Sequence, residues 1–278
     1  GNAVHDTGVA PVSSKLYHTV YWGTDTNHVD MSWNHLFNNR SCKMISVHSS
    51  PLGTGSGTGY VQYDHVYHDN IFDGDACNTL NLATMDPSQG PVRVYNNLFI
   101  NGGQGPVPPE GVPDYGCIVV PGYTNTGLPG TGVIEIFNNT FYRCGNQGSG
   151  TAASAISKGS QSPDLHLRLQ NNIVYQLPGK SYVDGASAMI TGSNNMFFGN
   201  GPGPSFLTSN FDVDPLFVNL IGQNFRLQST SPAINTGLNT GITRDQDGVL
   251  RPQGLAYDLG AYEFISGGTT PPPPSDTT

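Results

Sequence analysis

The sequence is poor in charge and in the residues that build helices. Only 11% of its 278 residues are Asp, Glu, Lys or Arg, against about 25% in an ordinary globular domain. Runs of Ala, Leu, Glu and Lys, which favour helices, are absent, whereas 36 glycines and 21 prolines are present. Most of the polarity comes from Asn, Ser, Thr and Gly, which suit turns. These features predict an all-β secreted protein.

Two classes of partner are disfavoured by what the chain lacks. No apolar run approaches the roughly 20 residues that a membrane helix needs, so we expect no membrane span. The formal net charge of −9 disfavours nucleic acid, because Lys and Arg must neutralise its phosphates. An acidic polysaccharide would meet the same repulsion unless a metal bridged it or basic residues were concentrated locally.

The N-terminal residues carry no visible signal peptide and already resemble the inside of a repeat. We therefore expect the chain to be a processed or excised piece of a secreted or cell-surface protein, with its secretion signal and N-terminal cap preceding residue 1.

Cysteine is scarce, and no CxxC or Cys/His metal spacing occurs. The four cysteines are Cys42, Cys77, Cys117 and Cys144. A secreted protein can pair an even set of cysteines in disulfides. The alternative is four buried thiols, because pairing cannot be deduced from sequence alone.

A repeated pattern places an asparagine two residues before an apolar residue. The seven asparagines are Asn2, Asn34, Asn70, Asn97, Asn139, Asn172 and Asn195. Alternating strands precede most of them, as at residues 92–94 and 165–169, and a Gly/Asn-rich turn and a second short strand follow. Two or three short strands per coil, stacked coil on coil, form a parallel β-helix. The pattern therefore predicts a right-handed parallel β-helix over residues 1–210.

The repeated asparagines have a structural explanation. Asn tolerates the left-handed backbone conformation of tight corners, and amides stacked on successive coils can form an internal hydrogen-bonded ladder. Aligning the coils on this ladder puts Cys42 and Cys77 at equivalent positions, about 4.8 Å apart. Because this spacing is compatible with disulfide geometry, we favour a Cys42–Cys77 bridge.

The pattern changes after about residue 210. A solenoid must cover its last apolar coil, so we interpret residues 211–265 as a C-terminal capping module. Within it, Asp245-Gln-Asp247-Gly resembles the start of a calcium loop but lacks the remaining ligands, and it predicts a turn of the cap. Residues 266–278 have the composition of a Pro/Thr-rich linker.

The Asn-x-apolar coils, together with Arg251 and the segment Asp258-Leu-Gly260-Ala-Tyr-Glu263, resemble secreted bacterial right-handed parallel β-helix proteins of the pectate-lyase-like superfamily. The resemblance covers nearly the whole chain and implies this fold. It leaves the activity open, because the superfamily includes lyases, hydrolases, epimerases and non-catalytic adhesins.

Reactive side chains concentrate in the first three coils, since seven of the eight histidines lie before residue 70. Aligning the coils places a set of polar side chains along the second strand of each coil. These residues are His18, Lys43, Asn78, Tyr21, Ser46, Asn81 and His48. We predict that they line one open face across which a sugar chain can lie, with Tyr21, Ser46, Asn78 and Asn81 as binding residues.

For β-elimination on a polyuronate, a base removes the proton beside the carboxylate, and a cation neutralises that carboxylate. Lys43 is the predicted base, with His48 or His18 second and Arg40 as a carboxylate clamp. The predicted Ca²⁺ ligands are Asp25, Asp64 and Asp69. The alternative is that Lys43 and Arg40 are ordinary solvated charges.

Hydrolysis and transition-metal binding are further alternatives. Hydrolysis needs two carboxylates on one face, and the candidates Asp64, Asp69, Asp73 and Asp75 fall in one strand–turn segment, which ranks this option below the lyase. A metal site on His65 and His68 is disfavoured, because a three-residue step along a strand points the two rings to opposite sides.

A non-enzymatic function stays open. An uncovered β-helix end presents unpaired strands that recruit another chain, so the chain could self-associate through its N-terminal coil. The alternative to a polysaccharide lyase is therefore a non-catalytic glycan-binding surface or adhesin module, or a structural fibre subunit.

Overall fold

The computed structural model describes residues 1–8, 14–49, 61–74, 77–103, 115–122, 130–145 and 153–267. Three parallel sheets dominate it. Sheet A has seven strands: β1 (Ala3–His5), β4 (His35–Phe37), β7 (Ile71–Asp73), β10 (Leu98–Ile100), β13 (Thr140–Tyr142), β16 (Ile173–Tyr175) and β19 (Met196–Phe198). Sheet B has six strands: β2 (His18–Trp22), β5 (Lys43–Val47), β8 (Asn78–Leu82), β11 (Tyr115–Val120), β14 (Ala153–Lys158) and β17 (Ser181–Asp184).

Sheet C also has six strands: β3 (Val29–Ser32), β6 (His65–His68), β9 (Val92–Tyr95), β12 (Gly132–Phe137), β15 (Leu165–Gln170) and β18 (Ile190–Ser193). A short 3-10 helix (Ser187–Met189) precedes β18, and an antiparallel pair, β20 (Phe217–Asn219) and β21 (Asn224–Leu227), follows the sheets. Within these described residues no helix has the length and apolar character needed to cross a membrane.

Each coil contributes one strand to sheet A, one to sheet B and one to sheet C in turn, and each strand pairs in parallel with the strand three places further along the chain. This arrangement is the all-β parallel β-helix predicted from the sequence. Its interior is apolar, and Phe72, Phe99 and Phe141 stack on successive coils with ring centroids 5.1 and 4.9 Å apart. Burying each phenylalanine contributes about 1.5–3 kcal/mol, so the stack helps fix the alignment of the coils.

The seven repeated asparagines form the predicted ladder between sheets C and A. From Asn2 to Asn195, each side-chain amide donates to the Oδ1 atom of the asparagine on the next coil, over 2.9–3.1 Å. The ladder asparagines are not the left-handed residues, so that part of the prediction is wrong. The residue before the ladder position makes the corner instead, as at Trp33, Asp69 and Asn96, with φ of 61°, 55° and 53°. Because the turn is made one residue earlier, the ladder amide reaches the carbonyl two residues behind it.

Two disulfides join neighbouring coils. Cys42 is bonded to Cys77 with a Cα–Cα distance of 4.9 Å, and Cys117 is bonded to Cys144 with a distance of 5.5 Å. Tyr115 packs against the first bridge. Cys42 and Cys77 immediately precede β5 and β8, so the first bridge ties the coil of Lys43 to the next coil, whereas the second bridge lies further along the solenoid.

The C-terminal module extends along the solenoid as well as past its last strand. Phe211 pairs with Met196 beyond β19, and the following residues then cover the outer face of sheet A. The apolar contacts there include Leu98, Ile173 and Tyr142 of the sheet and Phe225, Leu259 and Tyr262 of the module. The left-handed asparagines fasten the module, since the amides of Asn96, Asn138, Asn171 and Asn194 donate to its backbone carbonyls.

A buried ion pair closes this module. Arg251 donates to Glu263 over 2.7 Å, with both side chains fully buried, and also to Asn96 over 3.2 Å. The Asp245 carboxylate accepts the backbone N–H groups of Asp247, Val249 and Glu263. The Asp245 segment therefore shapes a turn.

Candidate functional site

Sheet B presents two outward rows of mostly polar side chains. The pairing aligns His18, Lys43 and Asn78 in the first row and Tyr21, Ser46 and Asn81 in the second, as the coil alignment predicted. Further strands continue these rows through Ser154 and Ser181 and through Ser157 and Asp184. Because the strands are parallel and in register, equivalent side chains lie one strand spacing apart, about 4.8 Å.

Among the described residues, this face is most exposed at Tyr21, at the end formed by β2 and β5. Tyr21 is 46% exposed, and His18, Lys43 and His48 are partly buried, whereas Ser46, Asn78 and Asn81 are buried. The prediction that these last three residues line an open face is therefore wrong. The coil alignment shows which side chains are equivalent on successive strands, but not what packs on them. The Asn81 amide donates a hydrogen bond to the Ser46 hydroxyl over 3.3 Å. A role of Ser46, Asn78 and Asn81 in binding a substrate stays a prediction.

The open end contains a compact group that we call the basic cluster, formed by His18, Lys43 and His48. The ring of His18 stacks on that of Tyr21, with centroids 5.0 Å apart. The Tyr21 hydroxyl donates to the backbone oxygen of His48 over 2.9 Å. Strands β2 and β5 thus place His18 opposite Lys43, and the exposed Tyr21 contacts the His18 ring and the backbone of His48.

The basic cluster is perturbed by burial and by its own charges. The pKa of His18 is lowered to about 4, mainly by burial and also by the charges of Lys43 and His48. The pKa of Lys43 is lowered to about 8 by burial and by the charge of Lys15, and the pKa of His48 is lowered by burial and by Lys43. At neutral pH, the His18 imidazole is therefore neutral, and Lys43 loses its proton far more readily than an ordinary lysine.

Lys15 was missed by the sequence analysis. It lies in a turn closed by a hydrogen bond from Tyr17 to Ser14, just ahead of β2. The same turn exposes Leu16 and Tyr17, which extend the apolar surface beside the cluster. The sequence did contain a signal for Lys15, namely the position of its lysines relative to sheet B. The sequence has four lysines: Lys15 and Lys180 precede strands of sheet B, and Lys43 and Lys158 lie in such strands.

The predicted carboxylate clamp, Arg40, lies three residues ahead of Lys43 and is exposed. Its backbone N–H donates to Thr7 on the preceding coil over 2.8 Å. Arg40 is therefore placed on the same coil as Lys43, and its role as a clamp stays a prediction.

The three predicted calcium ligands have separate partners. Asp25 accepts the Asn27 amide over 3.1 Å, Asp64 lies 2.5 Å from His28 Nδ1, and Asp69 contacts His68 and Asn96. Within the ranges given above, no three His, Cys, Asp or Glu side chains are placed to hold one metal ion. Asp75 lies outside the described residues.

The two histidines of β6 face opposite sides, as expected for a strand. His65 is buried, with its Nδ1 atom 2.8 Å from the Tyr67 hydroxyl and its Nε2 atom 2.7 Å from the Thr26 carbonyl. His68 lies near the surface between Asp69, 2.5 Å from Nδ1, and Asp30, 3.2 Å from Nε2.

No protein-family model matches the sequence, and no curated protein matches it. A parallel β-helix supports many unrelated functions, so the function has to be inferred from the site and not from the fold.

Proposed function

We propose that this chain is an extracellular polysaccharide-active protein that cleaves an acidic polysaccharide by β-elimination at the basic cluster. The supporting observation is the environment of Lys43, which is partly buried and lies opposite His18 on the neighbouring strand that also carries the exposed Tyr21. Its pKa of about 8 is near the range in which a general base works best at physiological pH.

The proposed reaction has one proton acceptor and one charge to neutralise. The neutral amine of Lys43 takes the proton from the carbon beside the carboxylate, and the electrons of that C–H bond form a carbon–carbon double bond. The glycosidic C–O bond breaks as the double bond forms, the leaving oxygen takes up a proton from water, and the Lys43 ammonium then returns its proton to the solvent. Arg40 and Lys15 supply positive charge for the substrate carboxylate, while Tyr21 offers its ring to a sugar face.

The positive charges of Arg40 and Lys15 near the basic cluster offset, locally, the repulsion between a chain of net charge −9 and an acidic polymer. Secretion is supported by the two disulfides, because disulfides persist in oxidising compartments. We include membership of the pectate-lyase-like superfamily in the proposal, on the strength of the parallel coils and the Asn ladder.

A non-catalytic glycan-binding module is the second candidate. The observation in its favour is the patch of Leu16, Tyr17 and Tyr21, which stays exposed beside the basic cluster and can bind a sugar chain without cutting it. Self-association of a structural subunit is a third possibility, since β1, β2 and β3 are edge strands. Sedimentation at increasing protein concentration tests it.

The proposal is tested by incubating the protein with a panel of polyuronates, with and without Ca²⁺, and following the absorbance of the unsaturated product. We expect a signal that disappears in Lys43→Ala and persists in the control variant Lys180→Ala. Dependence of the signal on added Ca²⁺ would support the predicted calcium cofactor. Binding to a polyuronate without any product would instead favour the non-catalytic module.

A further inference from the structure

The outer face of sheet C carries a second, separate set of charged side chains. Arg93 of β9, Glu135 of β12 and Arg168 of β15 are aligned on three successive coils. Glu135 accepts a hydrogen bond from Arg93 Nε over 2.7 Å through one oxygen and from Arg168 Nη2 through the other. One carboxylate thus orients two guanidinium groups and leaves one positive charge in excess.

The two arginines are held in place but remain accessible. Their side chains are 49% and 46% exposed, whereas Glu135 is only 18% exposed. Arg168 also lies over the ring of Phe137, 5.2 Å from its centroid. Each guanidinium has five N–H donors, and the bonds to Glu135 use only part of them. Two strand spacings separate the arginine positions, about 10 Å.

A groove of about 390 Å³ opens beside Arg93. Its walls are residues 87–92, Val133 and Glu135, and Val133 is exposed. The loop is fixed by Asp86, whose carboxylate accepts hydrogen bonds from Ser88, Gln89 and Thr131. The groove combines prolines and Val133 with the polar side chains of Ser88, Gln89 and Glu135, and such a mixed lining suits one sugar unit.

We propose that Arg93, Arg168 and this groove form a second binding site for an acidic glycan, distinct from the basic cluster. The oriented guanidinium groups bind carboxylates of the chain, since the arginine fork matches a carboxylate, and Val133 contacts a sugar face. Two arginines with one excess charge suit a polysaccharide with one carboxylate per sugar unit better than a polyphosphate, which needs many cations. The inference shares the substrate class of the proposed function but none of its residues.

The test measures affinity by calorimetry in the Lys43→Ala background, so that binding is followed without cleavage. The probes are polygalacturonate, dextran sulfate and neutral dextran. We expect R93Q/R168Q to weaken polygalacturonate binding at least about tenfold, because charge-assisted hydrogen bonds are lost. The matched control R244Q removes one exposed arginine elsewhere and should leave the affinity unchanged. A stronger effect on dextran sulfate than on polygalacturonate would overturn the assignment to carboxylates.

A second variant keeps the test valid if R93Q/R168Q fails to fold. Val133→Glu adds a carboxylate to the groove at an exposed position without touching either arginine, and we expect it to weaken binding of polygalacturonate as well. Unchanged affinity in both variants, or an equal loss in R244Q, would overturn the inference. The outcome is independent of the lyase proposal, since arginine-dependent binding in Lys43→Ala, together with no unsaturated product from the wild-type chain, would refute only the proposed reaction.

Discussion

The Asn ladder makes the sharpest prediction about stability, at its interior member Asn139. Its amide donates to the Val94 and Phe137 carbonyls over 2.8 and 3.0 Å and to Asn172 Oδ1 over 3.1 Å. Its Oδ1 atom accepts both the backbone and side-chain N–H groups of Asn97 over 3.0 Å. Asn139→Ala removes all of these bonds from a fully buried position.

The cost can be worked out group by group. The backbone N–H of Asn97 loses its partner, and an unmet buried donor costs about 1–3 kcal/mol. The other partners of Asn139 each keep some of their hydrogen bonds. The bonds that they lose, together with the small cavity left by the side chain, add about 2 kcal/mol. We therefore expect Asn139→Ala to lower the free energy of unfolding by about 3–5 kcal/mol and Tm by about 10 °C.

Circular dichroism during thermal and urea unfolding measures this effect. Asn2→Ala is the matched control, because Asn2 donates to Asn34 from the exposed end of the same ladder, and its loss should cost less than about 1 kcal/mol. Equal destabilisation by the two substitutions, or a change below about 1 kcal/mol for Asn139→Ala, would refute the role of the ladder.

Three further predictions concern buried or partly buried charges. Lys43→Met should raise the free energy of unfolding at pH 7, because the folded pKa of about 8 lies below the ordinary 10.5. The lowering of the Lys43 pKa corresponds to about 3 kcal/mol, which partial exposure reduces to about 1–2 kcal/mol. This gain in the free energy of unfolding should vanish as the pH rises from 8 to 10.5 in urea titrations. For His68, burial alone would lower the pKa, but the hydrogen bond and charge of Asp69 and the charge of Asp30 raise it above 6.5. Its stabilisation is therefore complete below pH 6.5 and is lost as the pH rises through the raised pKa, so His68→Gln should lower Tm at pH 6 and have little effect at pH 9. Arg251→Met should cost about 3–5 kcal/mol by leaving Glu263 buried and unpaired, and the double variant R251M/E263M should recover most of that loss in the same unfolding assay.

Much of the fold was predictable because the same sequence pattern recurs in every coil. An asparagine recurring ahead of an apolar residue determines where each coil turns, and the alternating segments determine which side chains enter the core. The alignment on Asn34 and Asn70 brings Lys43 to within one residue of Asn78 and Cys42 to within one residue of Cys77, and the pairing of β5 with β8 sets the exact register. Local periodicity and long-range contact coincide in a solenoid, since each coil packs mainly on its neighbours.

The rest depends on contacts that no periodicity encodes. Burial of Ser46 and Asn81 depends on what covers the outer face of sheet B, and strand alternation carries no such information. The return of the C-terminal module along sheet A depends on asparagines distant in sequence, such as Asn96 bonding to the Arg244 carbonyl. Lys15 lowers the pKa of Lys43 from the neighbouring coil, and this proximity appears only when the turn ahead of β2 is placed.

The most direct test of elimination at the basic cluster is the mass of the products formed from a polyuronate, recorded for the wild-type chain and for Lys43→Ala. Elimination through Lys43 predicts fragments that carry one unsaturated end and have gained no water, at a rate that rises with pH up to about 8, and it predicts no fragments from Lys43→Ala. Fragments that have gained a water molecule, or unsaturated fragments from Lys43→Ala at the wild-type rate, would contradict it.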